Sequence, residues 1–174
     1  MMDAEGREVP RLPKEKEYQV RSAIKKEIQH IARINRENIR GIAGGAAGGD
    51  ILFHEICREL EIPSVIYLGL PADQFIQSSV RSSGELWLDR FHSIYHTLPV
   101  VEFKAAEYSL PSDHWEAVNH WMLQAAMGNG ASHVSVLLLW DEARGDGGGG
   151  TSHMAAIAAE NQLNITVINP HSLK

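Results

Sequence analysis

Apolar residues recur at helical spacing from Glu15 to about Arg36, where Val20, Ile24, Ile28, Ile31 and Ile34 form a stripe among Lys, Arg, Glu and Gln. That pattern predicts an amphipathic helix. Residues 1–13 carry Pro10 and Pro13 and no periodicity, so they predict an extended lead-in. The short β-branched run NIRGIA (38–43) predicts a buried strand. GGAAGG follows, then DILFHEICRELE, whose Ile51, Phe53, Ile56, Cys57 and Leu60 suit a helix ending before Pro63. SVIYLGL (64–70) and VVEF (100–103) predict two more strands, separated by the helical stretches ADQFIQSSV and ELWLDRFHSIYHTL. HWEAVNHWMLQAAMG (114–128) predicts an amphipathic helix, and HVSVLLLW (133–140) is the most apolar strand of the chain. HMAAIAAENQ reads as a helix and NITVIN (164–169) as a last strand.

Helix and strand thus alternate, and strands apolar throughout predict a parallel sheet covered on both faces. The expected fold class is α/β, a Rossmann-like, doubly wound, mostly parallel sheet flanked by helices on both faces. The 174 residues are expected to form a single domain, with no internal repeat.

Composition narrows the function classes. A net charge of −6 gives no field to gather DNA or RNA, so nucleic acid is disfavoured as a partner. Cys57 is the sole cysteine, which excludes an internal disulfide and a cysteine-based zinc site and suits a reducing cytosol. No apolar run reaches the length of a membrane span, and the polar start is unlike a signal peptide. The expectation is a cytoplasmic protein that is not held to a membrane.

Ten of the 15 glycines fall in two windows, Gly41 to Gly49 and Gly145 to Gly150, each between a strand-like and a helical run. In an α/β sheet, ligands bind beyond the carboxyl ends of strands, where such loops meet helix N-termini. There glycine admits close approach of backbone N–H groups to a phosphate, and the helix end adds partial positive charge. The familiar nucleotide motifs fail when tested literally. Gly44 and Gly49 have P-loop spacing, but Asp50 and Ile51 stand at the Lys and Ser/Thr positions. G-x-G-x-x-G, G-x-S-x-G and H-E-x-x-H are also absent.

Gly44-Gly45-Ala46-Ala47-Gly48-Gly49-Asp50 resembles the G-G-x-A-x-G-x-D loop of bacterial DNA-processing proteins. Those share a Rossmann-like superfamily, often called SLOG, with the lonely-guy (LOG) cytokinin-activating phosphoribohydrolases. Gly147-Gly148-Gly149-Gly150-Thr151 is similar to the second phosphoribohydrolase signature, P-G-G-x-G-T-x-x-E. A further resemblance, over nearly the whole chain, is to uncharacterised bacterial SLOG-like domains associated with tetratricopeptide repeats or signalling modules. It rests on Met2-Asp3, Gly6-Arg7, residues Pro10 to Pro13, the GGD-ILF-E loop, Trp140-Asp141 and Gly145 to Thr151. Those domains have an apolar strand before the Met-Asp segment, and the resemblance implies that this chain lacks its first strand. It also implies a place in a larger multidomain protein. Two departures weigh against catalysis: Asp146 stands at the signature's proline and Met154 at its catalytic glutamate. Ala47 replaces the arginine common in the DNA-processing loop.

The resemblance and the windows together imply a nucleotide or nucleotide-derived small molecule at two glycine-rich loops, bound or sensed in bacterial signalling or defence. The candidate ligand-binding residues are Gly44, Gly45, Gly48, Gly49 and Asp50 in the first loop, with Gly147, Gly148, Gly149, Gly150, Thr151 and Ser152 in the second. Asp50 and Thr151 are equally candidates for helix N-caps. Trp140 could stack on a base or pack in the core, Asp141 could accept from ribose hydroxyls, Arg144 could reach a phosphate, and Asn119 could point into the pocket. A second function hypothesis is an N-glycosidic-bond hydrolase, a phosphoribohydrolase or NAD-like nucleosidase, with Glu55 or Asp50 supplying the missing carboxylate. A third is a protein-interaction module with a vestigial pocket, forming a homodimer. No cofactor is implied. His92 and His96 have two-ligand spacing on a helix but no third ligand, so no metal is expected. Trp87, Phe91 and Tyr95 at helical spacing read as packing rather than as a cofactor box.

Overall fold

The computed structural model describes residues 12–34, 39–104, 113–128, 130–142 and 148–173. They fall into two compact units, Met1–Glu102 with Leu173–Lys174, and Phe103–Ser172. The architecture is α/β and Rossmann-like. Among the described residues, six α-helices are interspersed with short strands and every strand pairing is parallel.

The first unit opens with a short 3-10 turn, Lys14–Lys16, and α1, Glu17–Ile34. Val20, Ile24 and Ile28 of the predicted stripe are buried, Ile31 is half-buried and Ile34 is exposed. Each of the three buried side chains stabilises by roughly 1.5–3 kcal/mol relative to exposure, which fixes the helix on its neighbour α2. Strand β1 is only Gly41–Ala43, shorter than the predicted run, whose first residue lies outside the described residues. There follow α2, Gly49–Glu59, β2, Ser64–Leu68, α3, Ala72–Ser79, α4, Glu85–Tyr95, and β3, Val100–Glu102. The sheet order is β1-β2-β3. Ile66 of the central strand pairs with both Ala43 and Val100. Along β2, Ser64, Ile66 and Leu68 are buried while Val65 and Tyr67 are half-buried, so one face carries the dense core. Trp87, Phe91 and Ile94 of α4 are buried, Phe91 stacks on Phe75 and Tyr95, and the aromatic stripe is packing.

The second unit holds α5, His114–Met127, β4, Ser135–Leu139, α6, Thr151–Glu160, and β5, Asn164–Ile168. The two strands pair in parallel from Ser135 with Asn164 to Leu139 with Ile168. Leu123, Val134, Ile157, Ala158 and Leu163 form its core. The HVSVLLLW run is less buried than its composition suggests, since only Val134 and Leu138 within it are buried. Trp121 is buried and Trp115 half-buried. No helix among the described residues is long and apolar enough to cross a membrane.

Candidate functional site

The first glycine window leaves the carboxyl end of β1 and enters α2. Gly45, Ala46, Ala47 and Gly48 are buried; Gly44, Gly49 and Asp50 are half-buried. Two of its glycines have distinct physical reasons. A Cβ at Gly45 would stand 2.8 Å from the Phe91 ring and 3.3 Å from Leu68, so the loop lies directly on the core. Gly48, the N-cap of α2, has φ +106° and ψ −124°, a conformation that side chains oppose.

Asp50, a candidate for both the N-cap and the ligand, is not the N-cap, which is Gly48. Asp50 is the second residue of α2, and its Oδ2 reaches back to accept from the Ala46 N–H at 3.1 Å. A carboxylate thus sits inside the glycine loop, against Gly44, whose Cβ would meet Asp50 Oδ2. It also complements the positive end of the helix. Ala47 donates its N–H to the Ser79 carbonyl at 3.0 Å. Four donors remain. Among the described residues, the N–H groups of Gly48, Gly49, Asp50 and Ile51 meet no acceptor, as the first turn of a helix requires.

The residue that holds this loop was not among the candidates. His54 is fully buried. Its Nε2 lies 2.9 Å from the Gly44 carbonyl and its Nδ1 lies 3.0 Å from Ser64 Oγ. A carbonyl only accepts, so Nε2 carries the proton and Nδ1 accepts from the Ser64 hydroxyl. One side chain therefore ties the loop, α2 and the start of β2 together. Its spacing of three residues from Ile51 was the available signal, placing it on the apolar face.

Burial lowers the His54 pKa, against the opposing charge of Asp50 and the hydrogen bonds of Gly44 and Ala43. The consequence for stability has a definite sign. Unfolded, the imidazole takes up a proton near 6.5, while the folded ring resists it. Stability is therefore full above pH 6.5, and falls as pH drops from there to the depressed folded value, by at most about 1.4 kcal/mol per pH unit. Urea midpoints at pH 7.5 and 5.5 are expected to differ less in His54→Gln than in the parent chain. Equal differences would remove His54 from the acid response.

Glu55 is not a free base. Arg90 donates Nε to Oε1 at 2.8 Å and a second N–H to Oε2 at 2.7 Å, and Arg21 donates to Oε2 at 2.9 Å. Arg90 also binds Glu17 at 2.8 Å and lies 4.1 Å from the Trp87 ring centroid. Burial opposes the Arg90 charge, but Glu55 and then Glu17 outweigh it and raise the guanidinium pKa. The Glu55 and Arg90 side chains are only 15% and 16% exposed, so this bidentate pair counts for more than a surface ion pair. It clamps α1, α2 and α4. The arginines lie 34 and 35 residues away in sequence, a distance at which spacing carries no signal.

The second window is described from Gly148 onward; Gly147 and Arg144 lie outside the described residues. Its turn docks on the start of α5. Gly149 has φ +70°, and a Cβ there would stand 2.2 Å from the Trp115 carbonyl carbon. Gly148 lies against Asp113, the N-cap of α5, whose Oδ1 accepts from Trp115 N–H at 2.9 Å. Asn119 donates Nδ2 to the Gly149 carbonyl at 2.7 Å, with His153 Nδ1 at 3.2 Å and the Gly150 carbonyl at 3.4 Å. Asn119 thus fastens α5 to the turn. Thr151 is the first residue of α6, not its cap; the N-cap is Gly150, and neither hydroxyl hydrogen bond nor other side-chain cap is made there. Ser152 follows and is half-buried. Met154, at the position of the signature's glutamate, packs against the core of the second unit.

Trp140 and Asp141 follow β4 and are half-buried, with the Trp140 N–H bonded to the Ile168 carbonyl at 3.0 Å. His92 and His96 stack at 5.9 Å. Among the described residues, no group of three or more His, Cys, Asp or Glu is arranged to hold a metal ion. Cys57 is buried, and burial pushes its thiol up to about 12. No family model, no curated protein and no solved structure matches this chain.

Proposed function

We propose that the chain binds a nucleotide-derived ligand at the β1–α2 glycine loop and does not transform it. The observation that carries this reading is the set of unmet N–H donors from Gly48 to Ile51, beside the half-buried Gly49 and Asp50. Such donors suit an oxygen of the ligand, as helix N-termini do generally. Asp50 shapes the ligand. With Oδ2 held by Ala46, Oδ1 accepts nothing from the described residues and suits a ribose hydroxyl, whereas a phosphate at the same place meets like charge. Hydrolysis through Glu55 is disfavoured because both its oxygens are held by arginines, and Met154, at the place of the signature's glutamate, packs on a core. A role in bacterial signalling or defence rests on the resemblance of the glycine windows alone.

A second reading, an interaction module with a vestigial pocket, is favoured by one feature. Each glycine window has a carboxylate against it, Asp50 at Gly44 in the first and the α5 N-cap Asp113 at Gly148 in the second.

Calorimetry with nucleosides, nucleotides, NAD and cyclic nucleotides separates the two. A hydroxyl-bound ligand is expected to lose roughly tenfold or more in affinity in Asp50→Asn, since hydrogen bonds to charged groups contribute about 1.5–3 kcal/mol. A ligand whose phosphate occupies the helix end would instead bind tighter in that variant. No binding to any of these at millimolar concentration would end the ligand reading and leave the interaction module.

A further inference from the structure

We propose a docking site for an acidic, apolar peptide segment of a partner protein at the amino end of the three-stranded sheet, opposite the glycine loop. Here the residues preceding β1, β2 and β3 converge on a groove of about 360 Å³. Its floor is apolar, formed by Ile62, Val65 and Leu98 with the rings of Pro63 and Pro99. The two prolines occupy equivalent places just before β2 and β3 and are fixed by the sheet. Gly41 donates its N–H to the Pro63 carbonyl at 2.8 Å, and Ile66 donates to the Pro99 carbonyl at 2.9 Å. The groove is therefore rigid, and its proline nitrogens offer no donors that would need a polar partner.

Two arginines, Arg40 and Arg58, line it. Arg40 and Arg58 have no carboxylate partner among the described residues, as is also true of Lys26, Arg33 and Arg81, but these two share one apolar groove; Arg58 makes a 3.3 Å contact to Ser93 Oγ. A single unpaired surface arginine is ordinary. Two at one apolar groove, on a chain of net charge −6, complement a ligand that is both apolar and anionic.

The shape and the charge balance select the occupant. Arg40, Arg58, Glu61, Pro63 and Pro99 are all exposed, so the groove is too open to enclose most of a small molecule. An extended peptide laid across it buries the floor and places a carboxylate at the arginines. Glu61 lies in the same groove and opposes a dense polyanion, which favours a peptide over nucleic acid.

Panning a random dodecapeptide phage library on the intact chain tests this. The expected enrichment is Asp or Glu next to Leu, Val or Phe. A fluorescein-labelled synthetic copy of the enriched peptide should then bind by anisotropy, and about 0.5 M NaCl should weaken it. Charge reversal in Arg40→Glu/Arg58→Glu should lower affinity at least about tenfold, and Arg40→Gln/Arg58→Gln by less. Both arginines are exposed, so an unchanged melting temperature accompanies the loss; if the charge-reversed chain unfolds, the glutamine pair gives the answer. Enriched peptides without acidic residues, or affinity unchanged in both double variants, would overturn the proposal. So would arginine-dependent binding of hexanoate with no peptide bound, which would mark a small-molecule pocket.

Discussion

Gly149→Ala is expected to lower the melting temperature by roughly 6–12 °C, corresponding to a loss of about 3 kcal/mol. Two costs add. The backbone at φ +70° is left-handed, which costs a residue with a Cβ about 1–2 kcal/mol. The new methyl would also stand 2.2 Å from the Trp115 carbonyl carbon and 2.6 Å from the Glu116 nitrogen. Those are helix backbone atoms, so relief requires the turn to lift from α5, which breaks the Asn119 bond to the Gly149 carbonyl. Overpacking of this kind adds typically about 1–3 kcal/mol. Gly84→Ala is a clash-free comparison. Gly84 has φ +95° and ψ 168°, a region essentially confined to glycine, and nothing within 4 Å of its Cβ position, so a backbone cost of roughly 1–3 kcal/mol acts there alone. Differential scanning fluorimetry reads both shifts. A Gly149→Ala shift of about 4 °C or less, the size of the backbone cost alone, would mean that the turn is not seated on α5.

His54→Leu should be comparably damaging, by about 3–5 kcal/mol, although leucine fills much of the same space. The loss comes from what the histidine leaves behind: the Gly44 carbonyl and the buried Ser64 hydroxyl, each without its partner. Stranding a buried polar group costs about 1–3 kcal/mol, so the two together account for most of the expected effect. Ser64→Ala in the His54→Leu background removes one orphan and should restore about 1 kcal/mol or more, whereas Ser64→Ala alone should destabilise. Urea titration of the four chains completes that cycle. A Ser64→Ala effect of equal size in both backgrounds would show that the pair is not coupled.

The order of helices and strands was legible in the sequence because hydrophobic periodicity is local. The stripe of α1, the apolar run of β4 and the glycine breaks all declare themselves within a few residues. The ends were less legible. The predicted strand over 38–43 shrinks to Gly41–Ala43, and Thr151 yields the cap to Gly150. Caps depend on backbone angles that many residue types tolerate. The glycine windows were visible as composition, but what fills them was not. Asp50 turning back to Ala46, Asp113 meeting Gly148, and Arg90 clamping Glu55 are contacts between elements. Glu55 read as a candidate base because a carboxylate one turn into a helix after a glycine loop has that chemistry. Its two arginines come from α1 and α4, and no spacing rule reaches them.

Cys57 gives the chain a built-in clock. As the sole cysteine, buried and with its thiol pushed up to about 12, it is both shielded and protonated while the fold is closed. Thiol-reactive reagents attack the thiolate, so the native molecule should be nearly silent toward them. Every labelling event then records an opening of α2 away from the sheet. The rate of modification, followed against urea or ligand, measures how often the helix behind the glycine loop lets go, without a dye or a second mutation.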